Sequence, residues 1–222
     1  EGGFRAHNPV HGLDIEHDPD GTTALRPRTG GDWRWGLITR RIGTDTLDRP
    51  TRLVQSAQTV TVHWNDHIRE WWINRDTGLE QWFEVGRRPA GLAPDEPLTV
   101  AMAIQGNLHG TLAGEAIAFT DDAGATVFTY DRLKVWDTTG RELAARMGVA
   151  GRTLTLTVTD AGAVYPLTID PVVAVPGAYL KARNAEAFDR FATAVAVDGD
   201  TVVIGAPFED GNATGVDGDA AN

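Results

Sequence analysis

Apolar residues recur along this chain with a period of two, the mark of strands that bury one face. Over 32–42, Trp33, Trp35 and Leu37 fall on one side, and over 59–64 Val60, Val62 and Trp64 do the same. A further strand is predicted over 69–74. In 79–85, Leu79, Gln81, Phe83 and Val85 oppose Glu80, Trp82 and Glu84, and Leu98, Val100, Met102 and Ile104 alternate until Gly106 stops the run. From Thr126 the pattern predicts a meander. A strand to Trp136 leads through Asp137-Thr138-Thr139-Gly140 to one with Leu143, Ala145, Met147 and Val149 inward, and Ala150-Gly151 leads to one carrying Leu154, Leu156 and Val158. After Asp160-Ala161-Gly162, a last strand runs through Tyr165 to Ile169. Residues 141–147 have helix propensity, but their period and flanking turns decide for strand.

No stretch carries three turns of an amphipathic helix, so about a dozen short strands predict an all-β, sandwich-like antiparallel domain over residues 1–175. Within it, residues 1–31 are rich in Gly, Pro, His and Asp and read as loop, with a short strand at 22–25 after the turn Asp18-Pro19-Asp20-Gly21. Residues 89–97 hold three prolines and read as another loop. Asp170 to Gly177 reads as a linker, because Pro171 and Pro176 cannot donate to a central ladder.

Beyond the linker the pattern predicts one hairpin. Val195 and Val197 alternate with small residues, Asp198-Gly199-Asp200 turns the chain, and Val202 to Ile204 return until Gly205 and Pro207. Two strands alone bury too little to be stable in water, so this segment is expected to be one unit of a repeated array. Tyr179-Leu180-Lys181, Phe191-Ala192, Val195-Ala196-Val197, Gly199-Asp200 and Gly205-Ala206-Pro207 resemble an FG-GAP repeat, the blade unit of integrin-α-like β-propellers, in a bacterial variety. Ala192 stands where that family usually has glycine. The resemblance implies that 176–222 is a partial repeat, an incomplete β-propeller blade hairpin, and that the parent array serves adhesion or ligand binding. Upstream, Glu70-Trp71-Trp72-Ile73-Asn74, Gly78 to Phe83 and Ala161 to Pro171 are similar to a domain that precedes FG-GAP repeats in large exported bacterial proteins. That likeness implies a secreted or cell-surface location.

Charge narrows the partners. The 222 residues carry 31 acids and 20 Lys and Arg, a formal charge of −11, and eight of those acids against three basics fall in 179–222. Such a surface repels phosphate backbones, so nucleic acid is excluded as the expected partner in favour of a protein or glycan. There is no cysteine to bridge, and no apolar run reaches the roughly 18 residues of a transmembrane helix. The chain opens at Glu1 without a charged leader and is expected to be a piece of a longer one.

Candidate chemistry gathers in three places. Four of seven tryptophans, Trp64, Trp71, Trp72 and Trp82, cluster in sequence, and Trp71, Trp72 and Trp82 form a candidate ligand-binding platform for sugar rings; alternatively they fill the core. Trp71 and Trp72, being adjacent on a strand, point to opposite faces. Glu70 and Glu80 flank that cluster as a candidate carboxylate pair for glycoside hydrolysis, or are ordinary outward positions. His63 and His67 have a metal-like spacing only on a helix, which this segment is not; His7, His11 and His17 need Asp14, Glu16 or Asp18 to close around an ion.

In the last segment, the integrin-like calcium loop shrinks to Asp198-Gly199-Asp200, too few oxygens for six to eight ligands. Asp210, Asn212, Asp217 and Asp219 of the tail are the candidate Ca²⁺ ligands, against a solvated loop. No serine elbow, P-loop or dinucleotide fingerprint occurs. The sequence therefore predicts a non-catalytic surface module, with a carbohydrate-binding or glycosidase-like domain as the alternative.

Overall fold

The structure, a computed structural model, describes residues 2–174, 192–198 and 201–208. It divides into two compact units, Glu1–Pro176 and Gly177–Asn222. Among the described residues every regular element is a strand.

In the first unit the strands are β1 (Phe4–Asn8), β2 (Leu13–His17), β3 (Thr23–Pro27), β4 (Trp35–Ile42), β5 (Asp45–Thr46), β6 (Arg52–Ser56), β7 (Thr59–His63) and β8 (Ile68–Arg75). They continue with β9 (Gly78–Val85), β10 (Leu98–Gly106), β11 (His109–Ala113), β12 (Ala116–Thr120), β13 (Thr126–Trp136), β14 (Ala145–Ala150), β15 (Thr153–Val158) and β16 (Leu167–Ala174). One sheet runs β1-β2-β3-β4-β10-β15-β14, with β5 on β4; the other runs β11-β12-β13-β16-β9-β8-β7-β6. All pairs are antiparallel, and the two inner faces make one core, so the unit is a β-sandwich.

The period of two decides which face is buried. Leu98, Val100 and Met102 are sealed from solvent, as are Phe83, Val85, Leu154, Leu156 and Val158 on neighbouring strands. At one end Trp35 of β4 meets Phe119 and Phe128 of the opposite sheet edge-on, with centroids 5.4 and 5.2 Å apart. Each such side chain contributes roughly 1.5–3 kcal/mol by leaving water. Gly78, at φ +135°, starts β9 where a Cβ would lie 2.5 Å from the Val173 carbonyl oxygen, so only glycine lets β16 approach there.

Several expectations are corrected. Residues 1–31 are not mainly loop: β1 and β2 pair over Phe4↔His17 to Asn8↔Leu13, and β2 buries Leu13 and Ile15 against exposed-side acids. β6, β11 and β12 occupy stretches where no strand was expected. Ala145 is exposed rather than inward; Leu143 and Met147 carry the burial there.

The largest correction concerns 170–174, which is not linker. The last strand begins at Leu167 and continues through Pro171 to Ala174, between β13 and β9 in the middle of its sheet. A proline there is tolerated because β13 bulges: its register against β16 shifts between Asp131 and Lys134, and Arg132 adopts φ +54°. The extra residue of the bulge falls opposite the position that lacks an N–H, so no ladder donor is missed.

In the second unit β17 (Ala194–Asp198) pairs with β18 (Thr201–Gly205), Val195 facing Ile204 and Ala196 facing Val203. Val203 is 63% exposed and Val195 56%. Ala192, preceding β17, has φ +64°, the left-handed conformation that the family's glycine would take freely.

Candidate functional site

Parity separates the predicted site residues. Glu70 and Trp72 point between the sheets, each 1% exposed, whereas Trp71, Glu80 and Trp82 face outward and are half-buried. The structure therefore does not bring Glu70 and Glu80 together as a carboxylate pair, nor Trp72 onto one face with Trp71 and Trp82.

Glu70 is the centre of a closed polar network. Its Oε1 accepts from Trp72 Nε1 at 2.8 Å and Gln81 Nε2 at 2.7 Å; its Oε2 accepts from Thr39 Oγ1 at 2.8 Å and Trp64 Nε1 at 2.9 Å. Tyr130 in turn donates its hydroxyl to Gln81 Oε1 at 2.5 Å. Burial pushes the Glu70 carboxyl up, and the four donors pull against that shift. Thr39 belongs to one sheet and Glu70 to the other, so the network ties the layers together. It also explains the tryptophan cluster, since Trp64 and Trp72 satisfy their indole N–H groups on that carboxylate.

The outer face of the second sheet carries a different arrangement. Trp71 of β8 faces Trp82 of β9, and the register between β9 and β16 puts Asp170 opposite Trp82. Asp170 is paired in turn with Lys134 of β13. Trp71, Trp82, Asp170 and Lys134 thus form one row across four strands, about 14 Å long at the usual strand spacing. Arg69 lies over the Trp71 ring, 5.5 Å from its centroid, and bonds Glu84. Beside the row, Ile73, Glu80 and Val172 follow the same register.

A cleft of about 1060 Å³ opens next to this row, lined by Glu80, Asp131, Arg132, Lys134, Asp170 and the β11–β12 hairpin among others. Most of its charges are paired: Arg75 with Glu80 at 2.6 Å, Arg132 with Asp131 at 3.1 Å, Lys134 with Glu142 at 2.7 Å. The Asp170 carboxylate makes no hydrogen bond among the described residues, and its Oδ1 is sealed from solvent. Burial, and next the Glu80 charge, push its carboxyl up to about 6. An unbonded carboxylate, a non-glycine residue at positive φ and a cleft coincide here, the combination in which binding sites are commonly found. Of the predicted residues the face gathers Trp71, Glu80 and Trp82; Asp170 was missed because its segment reads as linker, and Arg132 because nothing in its own strand marks the bulge.

The histidines do not converge. His17 is buried, its Nδ1 2.9 Å from Thr23 Oγ1, and burial lowers it to about 4; His11 Nε2 lies 2.8 Å from the Asp76 carbonyl oxygen. His67 sits between Asp45 and Asp66 at 2.8 and 2.6 Å. No set of three His, Asp or Glu side chains suited to a metal occurs among the described residues. The candidate calcium ligands Asp210, Asn212, Asp217 and Asp219 lie outside the described residues.

Residues 177–220 match the family model described as FG-GAP repeat, and the match begins where the second compact unit begins. No curated protein and no solved structure matches the chain. No helix among the described residues is long and apolar enough to cross a membrane.

Proposed function

We propose that this chain is a non-catalytic module of a secreted or cell-surface protein, in which the sandwich is a scaffold and the FG-GAP repeat belongs to an integrin-like part that binds protein or another ligand. The observation that carries this reading is the FG-GAP match over 177–220. The closed Glu70 network supports the scaffold role, because it spends the most buried carboxylate on joining two layers. Antibody labelling of intact cells expressing the parent protein tests location: surface staining is expected, and staining that needs permeabilised cells overturns it. Incubation with a glycan panel tests the absence of catalysis; hydrolysis abolished by Glu80→Gln or Asp170→Asn overturns that part.

A second reading, glycan binding on the sandwich itself, is favoured by the cross-strand pair Trp71 and Trp82 on the outer face beside the cleft. Two outward aromatic rings in one row with Asp170 and Lys134, which line the cleft, suit a saccharide. It shifts the platform from Trp71, Trp72 and Trp82 to the outward two.

A further inference from the structure

The chain has two lysines among its 20 Lys and Arg, Lys134 being the one in the first unit, and it has no cysteine. On β13, Lys134 is paired directly with Asp170 of β16, and both face outward. Cβ atoms in such a pair lie about 4.5–5.5 Å apart, a gap that the four-carbon stem of a lysine spans. Val172 faces Glu80, so Glu80 sits diagonally across from Asp170 on the opposite flank of β16. The one lysine amine of the sandwich therefore stands beside a carboxylate that makes no hydrogen bond among the described residues, with a second carboxylate next to both.

We infer that Lys134 and Asp170 condense into an intramolecular isopeptide bond, with Glu80 carrying the proton. The ammonium and the carboxylate first exchange a proton to give an amine and a carboxylic acid. The Nζ lone pair then attacks Cγ of Asp170 and the N–C bond forms; Glu80 takes a proton from the nitrogen and returns it to the hydroxyl, and that C–O bond breaks to release water. One amide replaces one positive and one negative charge, and Glu80 is regenerated. The structure describes the chain before this step. The acid form of Asp170 is within reach, because burial, and next the Glu80 charge, push its carboxyl up to about 6. Its Oδ1 is sealed from solvent, so the oxygen that remains as the amide carbonyl is already out of reach of hydrolysis. Lys134 rests on Glu142, but both side chains are more than half exposed, and an ion pair so open to water holds the amine only weakly. Arg75 and Arg132 also act on Asp170, yet a guanidinium keeps its proton and is no nucleophile. β16 ends two residues before the first unit does, so any pull through the second unit enters the sandwich at β16, and a bond to β13 fixes that strand where no disulfide can. The inference stands apart from what the module binds.

The test incubates the freshly purified full chain at about pH 6, where half of Asp170 carries the proton, and reads intact mass and tryptic peptides over time. Lys134→Arg, Asp170→Ala and Glu80→Gln run beside it, each checked for an unchanged circular-dichroism spectrum. Lys134→Arg keeps the charge and removes the nucleophile. The parent is expected to fall short of its sequence mass by one water and to yield a branched peptide that joins Lys134 to Asp170. Lys134→Arg and Asp170→Ala are expected to keep the full mass, and Glu80→Gln to react at least about 100-fold more slowly. A parent chain that keeps its full mass overturns the inference. So does a water loss that persists in Lys134→Arg, since the dehydration then lies elsewhere in the chain. A bond that forms as fast in Glu80→Gln overturns the proton transfer assigned to Glu80.

Discussion

The sandwich and the terminal hairpin are written with the same alternation and reach opposite ends. Val100 and Val203 are both valines on a regular antiparallel strand, yet one is sealed and the other 63% exposed. The difference is the second layer: β10 has a facing sheet, whereas β17 and β18 are described as a sheet of two. Alternation creates an apolar face, and only a second face converts it into stability.

The comparison breaks most visibly at the core. Phe128→Ala, which opens a cavity beside Trp35 and Phe119, is expected to cost about 3–5 kcal/mol in the urea unfolding of the sandwich. Val203→Ala, by contrast, is expected within about 0.5 kcal/mol of the parent. A comparable loss in both variants contradicts the layer argument.

Next in size is the polar tie. Glu70→Gln places an amide NH₂ against one pair of donors, either Trp72 and Gln81 or Thr39 and Trp64, and leaves that pair without an acceptor. A loss of about 3 kcal/mol in the same unfolding measurement is expected. A neutral outcome means that Gln81 reorients and the network is not what joins the sheets.

How far these roles were legible follows from where their partners lie. The faces of 79–85 and 98–104 could be read because each strand's own residues alternate, and the opposite orientation of Trp71 and Trp72 followed from the same rule. Leu13 and Ile15 alternate with Asp14 and Glu16 just as cleanly, and only the surrounding Gly, Pro and His hid β2. Glu70 was different: nothing in its own strand says that Thr39 and Gln81, from two other strands, and Trp64, just past the end of β7, converge on it. Asp170 was lost for a similar reason, since Pro171 signals linker unless the bulge at Arg132 is known to sit opposite.

Acid sharpens the comparison further, because His17 and Asp170 contribute with opposite sign. His17 has its folded value near 4, below its usual 6.5, so its contribution is whole above pH 6.5 and is lost as pH falls toward 4. At about 1.4 kcal/mol per tenfold in proton affinity, that loss is about 3–4 kcal/mol. Asp170, raised to about 6, contributes the other way: its extra stability is full below 3.8 and is lost as pH rises through 6. Half-open to water and facing Glu80, Arg75, Arg132 and Lys134, it is worth about 1 kcal/mol after screening. Melting temperature against pH is expected to fall more steeply below 6.5 in Asp170→Asn than in the parent; parallel curves refute the assignment.

The smallest effect belongs to the hairpin, and its sign is the informative part. Ala192 holds φ +64°, where a Cβ crowds the following carbonyl oxygen at a cost of roughly 1–2 kcal/mol, and glycine pays no such penalty. Glycine also brings a more flexible unfolded chain, which returns about 0.4–1 kcal/mol. The balance leaves Ala192→Gly stabilising by up to about 1 kcal/mol, read as slower amide exchange at Thr193, whose N–H bonds the Gly205 carbonyl at 3.1 Å. Sandwich amides are expected to stay unchanged, since the residue lies in the other compact unit. Faster exchange at Thr193 would mean that the alanine holds this turn without strain, and that the family's glycine is matched here by a residue equally at ease in the left-handed conformation.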